Sequence, residues 1–211
     1  MYTLYGSRGS GSAIVEAALE RCGLAFRQVR ASAWEDDSAI DELRRVNPLA
    51  QIPTLVMPDG SVMTESAAIL IHLGLQHPNS ALLPTDESAR AQTLRGVVFI
   101  AANCYSAITA SDYPERFTTD DGDEARASVR EAARRMLHRH WEIFADQFPA
   151  TPFLSRTTMP GALDLMAAVV SKWSGARAHL AKHRPDFSAL LHRIETHPSV
   201  QPVLARHFDP Q

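Results

Sequence analysis

Apolar residues recur along the chain with two kinds of spacing, in short runs typical of strands and at the spacing of a helix. In residues 1–77, short apolar runs alternate with stretches of helical spacing, which favours strands paired in one sheet and covered by helices. The pattern predicts strands at Thr3–Tyr5 and Ala25–Val29. Between them, Ser12–Cys22 places apolar side chains at helical spacing, and Gly23 is suited to end that helix.

A short helix, a hairpin and a third helix complete this first half. The short helix is predicted at Ile40–Val46. Asp59-Gly60 lies between the apolar runs Ile52–Val56 and Ser61–Met63, and because Asp-Gly suits the positive φ of a tight turn, the two runs are predicted to pair as a hairpin. With a helix at Ser66–Leu75, the order becomes βαβαββα, which is the order expected of an α/β thioredoxin-like domain.

Helical spacing alone continues through the second half. Residues 78–87 carry two prolines among polar residues where the pattern changes, so we interpret them as a linker between domains at 1–77 and 88–211. The second domain is predicted to be all-helical. Its helices are expected at about 88–111, 123–148, 161–175, 186–196 and 198–206.

Composition and charge are those of an ordinary soluble globular protein. Of the 211 residues, 45% are hydrophobic and 21% are charged, and the net charge is -3. The basic residues are scattered, which argues against a nucleic-acid partner. No stretch approaches the ~20 apolar residues of a membrane span, and Met1–Tyr5 does not resemble the start of a signal peptide. We therefore expect a cytoplasmic protein without a membrane partner.

The cysteines and histidines predict neither a disulfide nor a metal site. Cys22 and Cys104 are far apart in sequence and form no C-x-x-C pair, so each is expected to pack as a small apolar group. His138 and His140 are two residues apart on a predicted helix and therefore lie on different faces, which is poor geometry for one metal.

Two segments of the first domain could bind an extended peptide. A cis Ile52-Pro53 bond would leave the backbone N–H and C=O of Ile52 ready to pair with an added strand, although such a bond is more often trans and structural. Downstream, Ser66 is a natural N-cap with Glu65 beside it, and together they could hold the carboxylate and ammonium of an amino-acid head group. The alternative is a plain helix cap beside a solvated acid.

These two segments together resemble the cytosolic glutathione transferases. The segment Asn47–Leu55, which reads N-P-L-A-Q-I-P-T-L, is similar to the family's N-P-x-G-x-[VI]-P-x-L, and Thr64-Glu65-Ser66 is similar to its acid-Ser helix start. The resemblance implies a thioredoxin-like domain that binds glutathione as co-substrate, followed by a helical domain. By resemblance, Ile52, Pro53, Glu65 and Ser66 bind glutathione, and Gln51 beside them is expected to take part. Arg8 is a further candidate that could add positive potential, although a loop arginine more often faces water.

The helical half carries a weaker part of the same resemblance. Met159–Asp164 is similar to the family's S/T-x-A-D helix start, so Asp164 is expected to cap the first turn as a folding residue. Gly161 stands where serine or threonine is common, so the reciprocal capping box is expected to be incomplete.

The implied chemistry needs the glutathione thiolate, because the thiolate is the nucleophile and a free thiol has a pKa of about 8.5. In this family the loop after the first strand supplies hydrogen-bond donors and the positive end of a helix dipole. That loop is here Gly6–Ser12. Ser10 resembles the catalytic serine of theta- and zeta-type transferases, while Gly11 falls where beta-type proteins carry cysteine. We assign Ser10 as donor to the sulfur, with Ser12 in reserve, and place Tyr5 in the strand.

The second substrate is expected at the junction of the two domains. The candidates are Phe99, Asn103, Tyr105, Tyr113 and Trp173, of which only one or two are expected to line a cavity, because aromatic residues at helical spacing are usually core. The resemblance implies conjugation of glutathione to a small hydrophobic electrophile, and a homodimer. Two alternatives use the same fold: glutathione-dependent isomerisation or thiol and peroxide reduction, and a binding protein without turnover.

Overall fold

The first domain is a four-stranded sheet with helices on both faces. The computed structural model describes residues 1–208. Its first elements are β1 (Tyr2–Gly6), α1 (Ser12–Arg21), β2 (Phe26–Arg30), α2 (Ile40–Val46), β3 (Thr54–Val56), β4 (Val62–Thr64) and α3 (Ser66–Gln76). The strand order is β2-β1-β3-β4, with β1 parallel to β2 and antiparallel to β3, and with β3 antiparallel to β4. This confirms the predicted βαβαββα order of a thioredoxin-like domain.

The alternation of β1 explains how the sheet acquires its two covered faces. Successive side chains of a strand point to opposite sides, so Leu4 and Tyr5 enter different clusters. Leu4 packs with Leu55 and with α1 and α3 in the main core. Tyr5 packs with Leu43 of α2, and its hydroxyl donates to Glu42 Oε1 at 2.6 Å. Tyr5 therefore lies in β1, as predicted, and its side chain packs against α2.

Helices make up the second domain through residue 208. They are α4 (Glu87–Phe99), α5 (Ser106–Asp112), α6 (Asp123–Gln147), α7 (Ala162–Val170), α8 (Ala176–His183), α9 (Pro185–Glu195) and α10 (Gln201–His207). A π-helical stretch at Ile100–Tyr105 joins α4 to α5 into one run. The all-helical prediction is confirmed. We keep 1–77, 78–87 and 88–211 as the proposed domain division, of which residues 209–211 lie outside the described part of the chain.

The single helix predicted at 161–175 was wrong in length, and α8 was not predicted. The helix α7 ends at Val170, and a new helix starts at Ala176. Ser174 and Gly175 separate them, with φ of 54° and 78°. Both angles lie in the left-handed region, which interrupts a right-handed helix and which glycine adopts at little cost.

The run from Glu87 to Asp112 is long and apolar enough, by length and composition alone, to cross a membrane. No such stretch was expected from the sequence. A core helix of a soluble protein passes the same test, and 44% of the most apolar window of this run is buried inside the protein. The run packs against α6 and α7, so burial among neighbouring helices accounts for its apolar character.

The start of α7 is capped more completely than the sequence predicted. Asp164 accepts hydrogen bonds from the backbone N–H groups of Leu154, Ser155 and Gly161 at 2.8, 3.0 and 2.9 Å, which confirms its capping role. Gly161 has no side chain to complete the reciprocal capping box, as expected, but Ser155 Oγ accepts from Leu163 N–H at 3.1 Å and caps a second amide of the first turn. A Cβ on Gly161 would lie 2.6 Å from Ser155 Cβ. Glycine therefore admits the substitute cap.

Two polar clusters join the domains. Arg21 of α1 donates to Pro160 O at 2.7 Å and to Ser199 Oγ at 2.8 Å. Glu16, buried on the same helix, pairs with Arg206 and His207 of α10, each at 2.7 Å. Since α1 also carries the loop that precedes it, these bonds fix that loop relative to the helical domain.

Candidate active site

A cavity of about 770 Å³ opens at the junction of the two domains. Its walls come from the loop between β1 and α1, the loop that leads into β3, the start of α3 and the α4–α5 run. Of the predicted site residues, those lining it are Ser10, Gln51, Ile52, Pro53, Glu65, Ser66, Tyr105, Tyr113 and Trp173. Residues from both predicted binding segments and from the helical domain therefore meet in one place.

The edge beside β3 is held by a buried asparagine. The Ile52-Pro53 bond is cis. Asn47 Nδ2 donates to Gln51 O at 3.1 Å and to Thr54 Oγ1 at 2.9 Å, while its Oδ1 accepts from Leu49 N–H at 3.1 Å. These bonds fix the loop on both sides of Pro53. The sequence placed Asn47 in the motif but did not predict this positioning role. Its position four residues before Gln51, within reach of that loop, was the available signal.

The start of α3 differs from the predicted cap. Glu65, not Ser66, is the N-cap residue, and no side chain caps this helix. Ser66 is the first helical residue, and its hydroxyl donates to Met166 Sδ at 3.6 Å. The Glu65 backbone has φ of 64° and ψ of 108°, an unusual conformation for a residue with a side chain. Such conformations cluster at ligand sites, and both residues line the cavity.

Ser7 and Ser10 of the loop before α1 and Ser12 at the start of that helix form a buried hydroxyl network. Ser10 Oγ donates to Ser7 O at 2.7 Å, lies 2.8 Å from Ser12 Oγ, and accepts from Ser12 N–H at 3.2 Å. Ser12 Oγ in turn accepts from Ser7 N–H at 3.2 Å. Ser10 lines the cavity. Ser12 is fully buried behind it and is not part of the lining.

Three other predicted site residues lie away from the cavity lining. Arg8 is exposed and borders a smaller cavity of about 290 Å³ near Arg206. Phe99 packs in an aromatic cluster, with ring centroids 5.7 Å from Phe144. Asn103 Nδ2 donates to Phe99 O at 3.0 Å. Of the five candidates for the second substrate, Tyr105, Tyr113 and Trp173 line the cavity, one more than expected.

The loop after β2 contributes a wall that sequence reasoning missed. Ser32, Ala33 and Trp34 line the cavity, and Trp34 is 58% exposed. Glu35 accepts from Ser32 Oγ at 2.7 Å and from Ser7 Oγ at 2.8 Å, and pairs with Arg30. Hydrogen bonds from Arg30, Ser32 and Ser7 lower the pKa of Glu35 to about 2. This carboxylate therefore ties the Trp34 loop to the serine loop.

Charged side chains also line the cavity. Asp112 and Arg116 both line it, and the Arg116 guanidinium lies 4.1 Å from the ring centroid of Tyr113. Burial raises the pKa of Asp112, and the nearby Arg134 and Arg130 offset part of the shift. Among residues 1–208, no group of three or more histidine, cysteine or acidic side chains could hold a metal ion.

Known proteins match both the sequence and the fold. A family model described as glutathione S-transferase, N-terminal domain, matches residues 12–76. An uncharacterized GST-like protein of Escherichia coli K12, YncG, is 29% identical over 208 residues, which is 98% of each chain. The bacterial transferase BphK superposes with a TM-score of 0.77 at 26% identity, over 96% of this chain and 98% of that one. Residues 12–76 therefore match the N-terminal domain of glutathione S-transferases, and the chain as a whole has the fold of a bacterial glutathione transferase.

A further solved structure supports the same fold for this chain. A glutathione transferase homologue from Sulfitobacter, solved with bound glutathione, gives a TM-score of 0.83 at 20% identity, over 96% of both chains. The family match includes Pro53, Glu65 and Ser66 but begins at Ser12. Ser10 and Gly11 lie outside it, so the residue that faces a bound sulfur has to be inferred from the geometry of this chain.

Proposed function

We propose that this protein is a glutathione transferase that binds glutathione as the thiolate and conjugates it to a small hydrophobic electrophile. The observation that carries the proposal is the shared cavity, which is lined by Ile52, by Glu65 and Ser66, and by Ser10. The bound glutathione in the Sulfitobacter homologue supports the same ligand here.

The cavity offers a separate contact for each part of the tripeptide. The Ile52 backbone, next to the cis bond, would pair with the cysteinyl part as an added strand. The ammonium of the γ-glutamyl end would lie near the Glu65 carboxylate, and its carboxylate at the start of α3, which is eleven residues long. Glutathione would then lie with its sulfur toward the loop before α1.

The chemistry at the sulfur follows from that placement. The thiol gives its proton to solvent, and the thiolate is stabilised by the positive end of α1 and by the Ser10 hydroxyl. The sulfur electron pair forms a bond to an electrophilic carbon, and a leaving group departs or the product takes a proton from water. Ser10 is never the base, since a hydroxyl does not ionise near neutral pH.

The electrophile would occupy the half of the cavity toward the helical domain. Tyr113 and Trp173 of the helical domain offer aromatic surface to the cavity, which suits a small hydrophobic molecule.

We also propose a homodimer. The cytoplasmic location and the absence of nucleic-acid and membrane partners stay predictions.

The test is a calorimetric titration with glutathione, followed by turnover assays. The double variant Glu65→Ala, Ser66→Ala should lose glutathione affinity, while the exposed Glu131→Ala should bind as the unmodified protein does. Turnover would be assayed with an activated aryl halide, an enone, an organic hydroperoxide and a mixed disulfide. Binding without any turnover would reject the transferase and favour a binding protein, and turnover of the last two alone would favour a reductase.

A further inference from the structure

A buried phenol without a hydrogen-bond partner lies in the wall of the cavity. The hydroxyl oxygen of Tyr105 is buried and makes no hydrogen bond to any of residues 1–208. Tyr105 itself lines the cavity. Leaving a buried hydroxyl unpaired is unfavourable, and in native proteins such groups need an explanation. An acceptor brought by a ligand would supply one.

The phenol occupies the space that a side chain at residue 11 would fill. An ideal Cβ built on Gly11 would lie only 2.5 Å from the Tyr105 hydroxyl oxygen. Gly11 is the N-cap of α1, so the hydroxyl stands at the positive end of that helix. This is also the position at which the resemblance places the cysteine of beta-type proteins. Glycine here makes room for a hydroxyl group that comes from the helical domain.

The hydroxyl groups of Ser10 and Tyr105 differ in the hydrogen bonds that each would lose on binding a sulfur. Ser10 Oγ already donates to Ser7 O at 2.7 Å, so it would lose that bond on turning to a ligand. Tyr105 would lose none among the described residues, since the nearby Ser66 hydroxyl donates to Met166 Sδ instead. The phenol is therefore the better-placed donor, because pairing it also removes the cost of leaving it unpaired.

The surroundings hold Tyr105 in place and keep it protonated. Its ring lies 5.8 Å from the Trp173 ring, and Trp173 Nε1 donates to Gly9 O at 3.3 Å, which joins the phenol to the loop before α1. Burial raises the pKa of Tyr105 well above its ordinary value, and the nearby Ser66 hydroxyl offsets only part of the shift. Tyr105 can therefore act as a hydrogen-bond donor and not as a base near neutral pH.

We propose that Tyr105 is a catalytic residue whose phenolic hydroxyl donates a hydrogen bond to the sulfur of glutathione bound beside Gly11. This inference rests on the proposed function. The thiol proton still leaves to solvent, the phenol keeps its own proton, and the sulfur pair forms the bond to the electrophile. Tyr105 thereby supplies to the sulfur from the second domain what the loop of the first domain supplies in the family that the sequence resembles.

The test is an ultraviolet titration of the thiolate in the complex of the full chain with glutathione. Tyr105→Phe should raise the pKa of the bound thiol by about one to two units, at the strength of a charge-assisted hydrogen bond, and kcat/KM near neutral pH should fall about tenfold. The affinity for glutathione measured well below that pKa should not change. Tyr2→Phe, which makes the same change on β1 outside the site, should titrate as the unmodified protein does.

Gly11→Ala provides an independent check. Its methyl group would displace the phenol, so Gly11→Ala should raise the thiol pKa as Tyr105→Phe does. Combining the two should add nothing further, as expected for residues that act through one contact. The inference is overturned if Tyr105→Phe binds glutathione but titrates as the unmodified protein does, or if the two effects simply add. If the unmodified protein binds no glutathione, the proposed function fails first.

Discussion

Ser10 and Tyr105 bring hydroxyl groups to the same helix start in different states. The Ser10 hydroxyl is already bonded within the loop, whereas the Tyr105 hydroxyl is unpaired among residues 1–208. Exchanging one hydrogen bond for another is worth about 0.5–1.5 kcal/mol, while a new bond to a charged group is worth about 1.5–3 kcal/mol. The contribution of Tyr105 should therefore exceed that of Ser10, although both act on the same anion.

Ser10→Ala should raise the pKa of bound glutathione by about one unit or less, since 1.36 kcal/mol corresponds to one unit. Turnover near neutral pH should fall several-fold, with little change in glutathione affinity. The measurement is the same ultraviolet titration, with Ser12→Ala beside it. A shift carried by Ser12→Ala alone would move the role to Ser12, which is fully buried behind the lining.

Site residues were predicted correctly where they belong to a backbone motif. The prediction was incomplete for side chains on a helix, whose direction depends on the helix register. The Asn47–Leu55 motif brought Gln51, Ile52 and Pro53 to the cavity lining. Phe99 packs against Phe144 and Asn103 donates to Phe99 O instead, and a π-helical stretch from Ile100 changes the angular step along this run. A uniform helical period read from sequence contains no sign of that change.

At the scale of elements, α7 depends on the single buried carboxylate of Asp164. Asp164→Asn keeps the shape of the side chain. Its amide NH₂, however, would face one of the backbone N–H groups that donate to the Asp164 carboxylate in the unmodified protein. We expect unfolding free energy to fall by about 3 kcal/mol, because a buried hydrogen bond is lost and a buried N–H is left unpaired. Urea unfolding measures this, and the exposed Asp123→Asn in the first turn of α6 is the matched control. Equal losses in the two variants would contradict the capping role.

The contact between α1 and α10 should depend on pH through Glu16. Burial alone raises the pKa of Glu16, but hydrogen bonds from His207 and Arg206 outweigh it, and the net pKa lies below its ordinary value of 4.5. A carboxyl group with a lowered pKa in the folded state stabilises the protein above that ordinary value, and this contribution is lost as pH falls through the folded-state pKa.

Glu16→Gln should therefore lower the unfolding free energy most at neutral pH, and the difference from the unmodified protein should shrink below about pH 4.5. Urea unfolding across that range measures it. Glu131→Gln removes an exposed ion pair with Arg135 and should have little effect at any pH. A difference for Glu16→Gln that does not vary with pH would indicate that the side chain stabilises by packing alone.

For the whole molecule, the sequence predicted the layers and their order but not the contacts between domains. The βαβαββα order followed from local changes of period and from one Asp-Gly turn, which are features of neighbouring residues. The cavity depends on pairs far apart in sequence, such as Trp173 with Gly9 and Arg206 with Glu16. No local sequence pattern indicates such pairs. The contribution of Trp34 to the cavity lining and the position of the Tyr105 hydroxyl therefore could not be predicted from the sequence.

The proposed homodimer makes the last prediction, and exposed apolar side chains on both domains support it. Leu75 of α3 and Val98 of α4 are 57% and 53% exposed. The resemblance implies that the first domain of one chain meets the helical domain of the other, so these side chains would become buried on association. Light scattering should give about twice the chain mass of 23.2 kDa at micromolar concentration.

Leu75→Glu combined with Val98→Glu should give a monomer that keeps its far-ultraviolet spectrum, because each new carboxylate would be buried without a partner in the dimer. Met136→Glu changes an exposed apolar residue of α6, 45% exposed, and should leave the dimer intact. A particle of 23.2 kDa for the unmodified chain would contradict the dimer. A double variant that still dimerises would show that the two chains meet through another surface.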